Sequence, residues 1–154
     1  MDALKQIKNI VKNENKINLF LVDDDAVFLK ALEIEFLHHS NFEIETFATG
    51  ELCIASLSKK PDIIILDFHL DGIVKNAMNG IQTLDKIKGL DSEIPVIMLS
   101  SQDKIEVAVD SIHHKAFDYV VKSETAFVRL QKTIDTIFKY QKMEKELNWY
   151  MDKM

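Results

Sequence analysis

Apolar and polar positions along this chain alternate between two rhythms. Nearly unbroken apolar runs at 17–22, 62–67, 94–99 and 118–121 are separated by stretches in which apolar residues recur every three or four positions. A run without polar alternation is a strand covered on both faces, and the longer period is a helix with one buried stripe. The spacing predicts helices over 26–38 (Val27, Leu29, Leu32, Phe36, Leu37), 50–59 (Leu52, Cys53, Ala55, Leu57), 80–89 (Ile81, Leu84, Ile87) and, more weakly, 103–114. Phe42-Glu43-Ile44-Glu45-Thr46-Phe47 instead alternates strictly, as a half-exposed strand at a sheet edge does. The order is (βα)5, which implies an α/β fold: a doubly wound parallel sheet with right-handed connections and helices on both faces.

The two ends carry patterns of their own. Leu4, Ile7 and Val11 predict an amphipathic helix over 2–12, so residues 1–16 form a helical extension ahead of a domain spanning 17–138. Ser123 and Glu124 suit the start of the last helix, with the hydroxyl as its cap. In that helix Phe127, Leu130, Ile134 and Ile137 make a stripe for the sheet. From Tyr140 a second apolar set follows: Tyr140, Met143, Leu147, Tyr150 and Met154, at spacings of three, four, three and four. That is a heptad seam offset from the first stripe, so 139–154 is expected to extend as a helix and pair. It could pair with itself in a homodimer, with a partner, or with an output domain.

Composition narrows the class. A chain of 154 residues builds one good core. Its net charge of −6 argues against a nucleic-acid binder. Cys53 is the single cysteine, which excludes an internal disulfide and a cysteine-based zinc site, and it is expected in the core. No apolar run reaches the roughly 20 residues that cross a bilayer, and the first residues lack a signal peptide's apolar stretch. The expectation is a soluble, cytoplasmic domain without membrane contact. His38-His39 and His113-His114 sit near predicted helix ends, and adjacent helical positions do not converge on a metal.

Parallel strands bring their carboxyl ends to one edge, and open α/β sheets bind ligands there. Asp23 and Asp24 follow the first strand, Asp67 ends the third, Ser100 the fourth and Lys122 the fifth. Taken alone, Asp67 is a metal ligand, a nucleophile or a cap. Together, three carboxylates repel unless a proton or a cation sits among them. All-oxygen ligands with positions left for water and phosphate suit Mg²⁺ better than zinc. A lysine and a hydroxyl opposite such a cluster can hold the outer oxygens of a phosphoryl group, which equips the edge for phosphoryl transfer to a carboxylate.

The motifs Leu21-Val22-Asp23-Asp24-Asp25, Pro61-Asp62-Ile63-Ile64-Ile65-Leu66-Asp67, Pro95-Val96-Ile97-Met98-Leu99-Ser100 and Asp118-Tyr119-Val120-Val121-Lys122 resemble those of response-regulator receiver domains over about 17–135. The resemblance implies a flavodoxin-like sheet of order 2-1-3-4-5, which places the alternating strand at an edge. It implies Asp67 as phosphoacceptor from the histidine of a sensor kinase or phosphotransfer protein. Mg²⁺ would be held by Asp23, Asp24, Asp67 and the backbone carbonyl of His69. Ser100 and Lys122 would bind the phosphate and Tyr119 would be the aromatic that turns inward. The domain would be a switch with self-catalysed phosphate uptake and loss, and no further enzymatic activity.

Two features depart from the family pattern. The segment from Asp71 to Asn79 is longer than usual and lacks the customary proline. Its extra loop could shield the acyl phosphate, select the kinase, or be an inert insertion. Lys122 is followed by Ser123 where the family commonly has proline, so a trans bond is expected. Asp23-Asp24-Asp25-Ala26-Val27 also fits the signature of haloacid-dehalogenase phosphatases, with Asp23 as nucleophile. That family needs a later acidic pair and usually a cap domain. A docking scaffold independent of phosphate is the other alternative.

Overall fold

A computed structural model describes residues 2–4, 16–39 and 41–154. The strands are β1 (Ile17–Val22), β2 (Phe42–Phe47), β3 (Ile63–Asp67), β4 (Val96–Ser100) and β5 (Asp118–Val121). The helices are α1 (Ala26–His39), α2 (Gly50–Ala55), α3 (Gly80–Leu90), α4 (Ile105–His113) and α5 (Ala126–Asp152), with a 3₁₀ turn at Leu57–Lys59. All strand pairs are parallel and the order is β2-β1-β3-β4-β5, the flavodoxin-like order.

The unbroken apolar runs exist because successive side chains enter two different cores. Leu19, Leu21, Ile63, Ile65, Ile97, Leu99 and Val120 face one side, where Leu32 and Phe36 of α1 and Leu130, Ile134 and Ile137 of α5 cover them. Phe20, Val22, Ile64, Leu66, Val96 and Met98 face the other, with Cys53, Leu84 and Ile87. Strand β2 has one neighbour, and its Glu43 is exposed while Phe42 and Phe47 are buried. Burial pushes the Cys53 thiol up to about 12, so it stays a protonated core group.

Some expectations need correction. Ser123 does not cap α5: the helix begins at Ala126 behind Thr125, whose side chain makes no capping bond, while Ser123 Oγ lies 3.1 Å from Thr125 Oγ1. The intervening residues form a turn closed by the Ala126 N–H on the Ser123 carbonyl at 3.1 Å, so Ser123 engages the helix start through its carbonyl and not its hydroxyl. Leu52, Val27 and Leu37 fit the helical period yet are exposed, because α2 and α1 each bury a narrower stripe than the spacing allows. Ala3 and Leu4 are helical, while the rest of the expected 2–12 helix falls largely outside the described residues. The Lys122–Ser123 bond is trans, as expected. His114 joins α4 to α3 through Asp85, at 2.6 Å.

The long segment after β3 is a closed loop. Leu70 is buried at its start, and its ends meet where the Gly80 N–H donates to the Phe68 carbonyl at 2.9 Å. Asn79 and Gln82 form a reciprocal capping box at the start of α3, and Glu51 of α2 accepts the Met78 N–H at 2.9 Å. Between these anchors Ile73 and Val74 are exposed. A methyl group on Gly80 would stand 2.4 Å from the Asp67 carbonyl oxygen and 2.6 Å from Phe68 Cα. Gly80→Ala must therefore push α3 off the end of β3. A loss of about 1–3 kcal/mol is expected in urea unfolding, the range typical of overpacking, and an unchanged midpoint would show that the backbone yields freely there.

Candidate functional site

The carboxyl ends of β1, β3, β4 and β5 meet at the edge where the sheet order reverses, the crevice expected of a doubly wound fold. Backbone bonds beyond the strands fix the spacing. The Asp23 N–H donates to Phe47, that of Phe68 to Leu99 and that of Lys122 to Ser100, at 3.0, 2.8 and 2.7 Å.

Asp23, Asp24 and Asp67 each offer an oxygen within 4.8 Å of the others. Asp23 and Asp67 are buried and Asp24 is half-buried. Lys122 Nζ stands 2.7 Å from Asp23 Oδ2 and 3.4 Å from Asp67 Oδ1. The two carboxylates are desolvated side by side, and one lysine does not balance them. Burial first, then the charge of Asp23, pushes Asp67 up to about 7, against the opposing pull of Lys122. For Lys122, burial works against the charged form. The hydrogen bond to Asp23 and the charges of Asp67 and Asp23 outweigh it and hold the ammonium above the ordinary lysine value.

The acidic triplet divides its labour. Asp25 turns outward and accepts the N–H groups of Val27 and Phe28, both at 3.1 Å, and so caps α1. Asp23 Oδ1 accepts the Asp25 N–H at 2.9 Å, which orients the Asp23 carboxylate. Its Oδ2 is buried and meets the Lys122 ammonium at 2.7 Å as an ion pair. Three carboxylates gathered around a single ammonium leave negative charge in excess, which fits a hard divalent cation.

The remaining expected residues lie at the same edge. Ser100 is fully buried and its Oγ accepts the Gln102 N–H at 3.1 Å. Tyr119 points inward, 8% exposed, and its hydroxyl donates to the Gln102 carbonyl. His69 lies two residues beyond Asp67, exposed, and its backbone N–H lowers the Asp67 carboxyl slightly against the upward pull. The extra loop reaches the acidic cluster as well, since a methyl on Gly72 would lie 3.4 Å from Asp24 Oδ2.

Residues 19–135 match the model of the response regulator receiver domain. The chain belongs to this family. Among curated proteins it is 35% identical over 130 residues to a protein-glutamate methylesterase/protein-glutamine glutaminase of Clostridium acetobutylicum, covering 80% of this chain and 35% of that protein. Among solved structures it resembles NtrX from Brucella abortus, with 25% identity and a TM-score of 0.76 over 90% of this chain and 31% of that one. It also resembles a chain of the CheX-CheY-BeF3-Mg+2 complex from Borrelia burgdorferi, with 27% identity and a TM-score of 0.68 over 79% of this chain and 89% of that one. The chain spans about a third or less of the length of the first curated relatives it matches.

A receiver is a signalling switch, and the match favours neither the phosphatase with Asp23 as nucleophile nor the phosphate-independent scaffold. Within this receiver, Phe28 and Glu51 are neighbours of the site that the motifs do not reveal. The Phe28 ring lies 4.5 Å beneath the Lys122 ammonium, and Glu51 anchors the end of the loop that touches Asp24. Phe28 comes to Lys122 from α1, 94 positions away in sequence, so no local pattern could pair them. No helix among the described residues is long and apolar enough to cross a membrane.

Proposed function

We propose that this receiver takes a phosphoryl group on Asp67 from the phosphohistidine of a sensor kinase or phosphotransfer protein. An oxygen of Asp67 forms the new P–O bond as the P–N bond breaks and the imidazole leaves. The observation that carries the reading is the buried Asp23–Asp67–Lys122 cluster, in which one ammonium faces two buried carboxylates with Asp24 beside them. Asp23, Asp24 and Asp67, with the backbone carbonyl of His69, would hold Mg²⁺, whose charge offsets the repulsion between carboxylate and phosphate. Lys122 favours the ionised form of Asp67 and then pairs with a phosphate oxygen, giving up part of its hold on Asp23. Phe28 beneath it keeps the ammonium over the site.

Ser100 supplies the second phosphate contact. Its hydroxyl now holds the Gln102 N–H while Tyr119 holds the Gln102 carbonyl, so a move of Ser100 toward phosphate is felt at Tyr119. The switch biases two arrangements of this linkage and thereby a partner-binding face. Uptake and loss of phosphate are self-catalysed, without other enzymatic activity in residues 17–138. On its net charge of −6 we assign this chain protein partners rather than nucleic acid. Incubation with a small acyl phosphate and Mg²⁺, followed by intact-mass and site-mapping spectrometry, should show one phosphoryl group on Asp67. Its appearance on Asp23 would overturn the assignment.

A further inference from the structure

Helix α5 leaves the domain near Tyr140, whose ring touches Phe117 at 6.2 Å between centroids. It then continues to Asp152, and every residue from Lys142 onward is exposed. Tyr140, Met143, Leu147, Tyr150 and Met154 are all more than half exposed; the first four fall on one line of this projecting helix and Met154 follows just past its end. We infer that residues 139–154 pair with the same segment of a second copy as a parallel, in-register, two-stranded coiled coil. The inference goes beyond the phosphoryl-transfer reading and stands without it.

Charge selects both the occupant and the direction. With Tyr140, Leu147 and Met154 at the a positions and Met143 and Tyr150 at d, the flanking g positions are Lys139, Glu146 and Lys153, and the e positions are Glu144 and Met151. In a parallel pair each g residue faces the e residue five positions on in the other helix. Lys139 then meets Glu144 twice, once from each copy, and Glu146 faces the uncharged Met151. An antiparallel pair of full overlap would instead set g against g. It would place Lys139 against Lys153 twice and Glu146 against its own copy, so every one of these g–g contacts would be between like charges. The segment is complementary to itself in one direction only.

The seam is short, about 22 Å at 1.5 Å per residue, and a free helix of this length would be marginal. Here the nucleus already exists, because Leu130, Ile134 and Ile137 hold the preceding turns against the sheet. Trp149 lies off the seam under the Lys153 ammonium, at 4.7 Å. As the single tryptophan it reports on this segment alone.

The test is sedimentation equilibrium of the full chain across a concentration series, with Trp149 anisotropy as a second readout. A concentration-dependent dimer is expected, and a monomer at every concentration overturns the inference. Leu147→Asp, at an exposed position, should abolish the dimer while far-UV dichroism stays intact; persistence of the dimer would place the interface elsewhere and overturn it. Lys139→Glu should weaken the dimer by about tenfold, and Lys139→Glu with Glu144→Lys should restore it. Lys139→Glu strengthening the dimer would overturn the parallel arrangement, since only the antiparallel one sets the new carboxylate against Lys153.

Discussion

Asp67→Asn takes up no phosphoryl group from an acyl phosphate in Mg²⁺, and without Mg²⁺ at pH 8 it melts higher than the wild type. The first half follows from chemistry: the amide is a far poorer nucleophile, and no other carboxylate at the edge is expected to replace it. The second half follows from the electrostatics of the unfilled cluster. A carboxyl held at about 7 instead of its ordinary 3.8 costs the folded state up to about 4 kcal/mol at pH 8. Asparagine removes that cost at nearly constant volume but takes one partner from Lys122, so the net gain is smaller. A rise of about 3–8 °C in Tm is expected. The sign also fixes the pH dependence. Between 3.8 and about 7 the folded state holds the proton more tightly than the unfolded chain, so wild-type stability falls as pH rises through that window. The advantage of the variant should therefore shrink toward pH 4. Equal labelling of variant and wild type would remove Asp67 from the mechanism, and Asp23→Asn would then be the variant to compare.

The second large effect is stabilisation by Mg²⁺. The ion binds the folded carboxylate cluster and not the unfolded chain, so at about 100 times its Kd it adds about 2.7 kcal/mol, or roughly 5–10 °C in Tm for a domain of this size. The shift should be larger at pH 8 than at pH 5, because at the lower pH the cation must displace the proton that Asp67 holds. Asp24→Asn should lose most of the shift without losing the fold, as Asp24 is half-buried and outside both cores. An unshifted wild type in millimolar Mg²⁺ would sink the metal site, and an unfolded Asp24→Asn would make Asp24 a structural residue instead.

The architecture was legible because it is written in short-range periodicity. Residues 62–67 lack alternation since Ile63 and Ile65 enter one core while Ile64 and Leu66 enter the other, and β2 alternates over 42–45 since Phe42 and Ile44 face one core while Glu43 is exposed on the opposite face. The ends of those runs located Asp23, Asp24, Asp67, Ser100 and Lys122, and a parallel sheet has no choice but to gather them. Periodicity was less informative at helix surfaces. Val27 and Leu52 satisfy the spacing but lie outside the strip each helix presents to the sheet.

By itself, the sequence determined the strands, their common edge and the charge balance gathered there, because each is set by residues adjacent in the chain or by the rule that parallel strands end together. Only the tertiary structure decided which of three consecutive aspartates became a cap, which oxygen of Asp23 pairs with Lys122, and that Phe28 lies under Lys122. It also decided that Glu51 ties down a loop 27 positions away and that Gly72 of that loop rests against Asp24. These depend on how helices settle over the sheet and on side-chain directions within ångströms, and contacts between distant segments leave no period in the chain to be read.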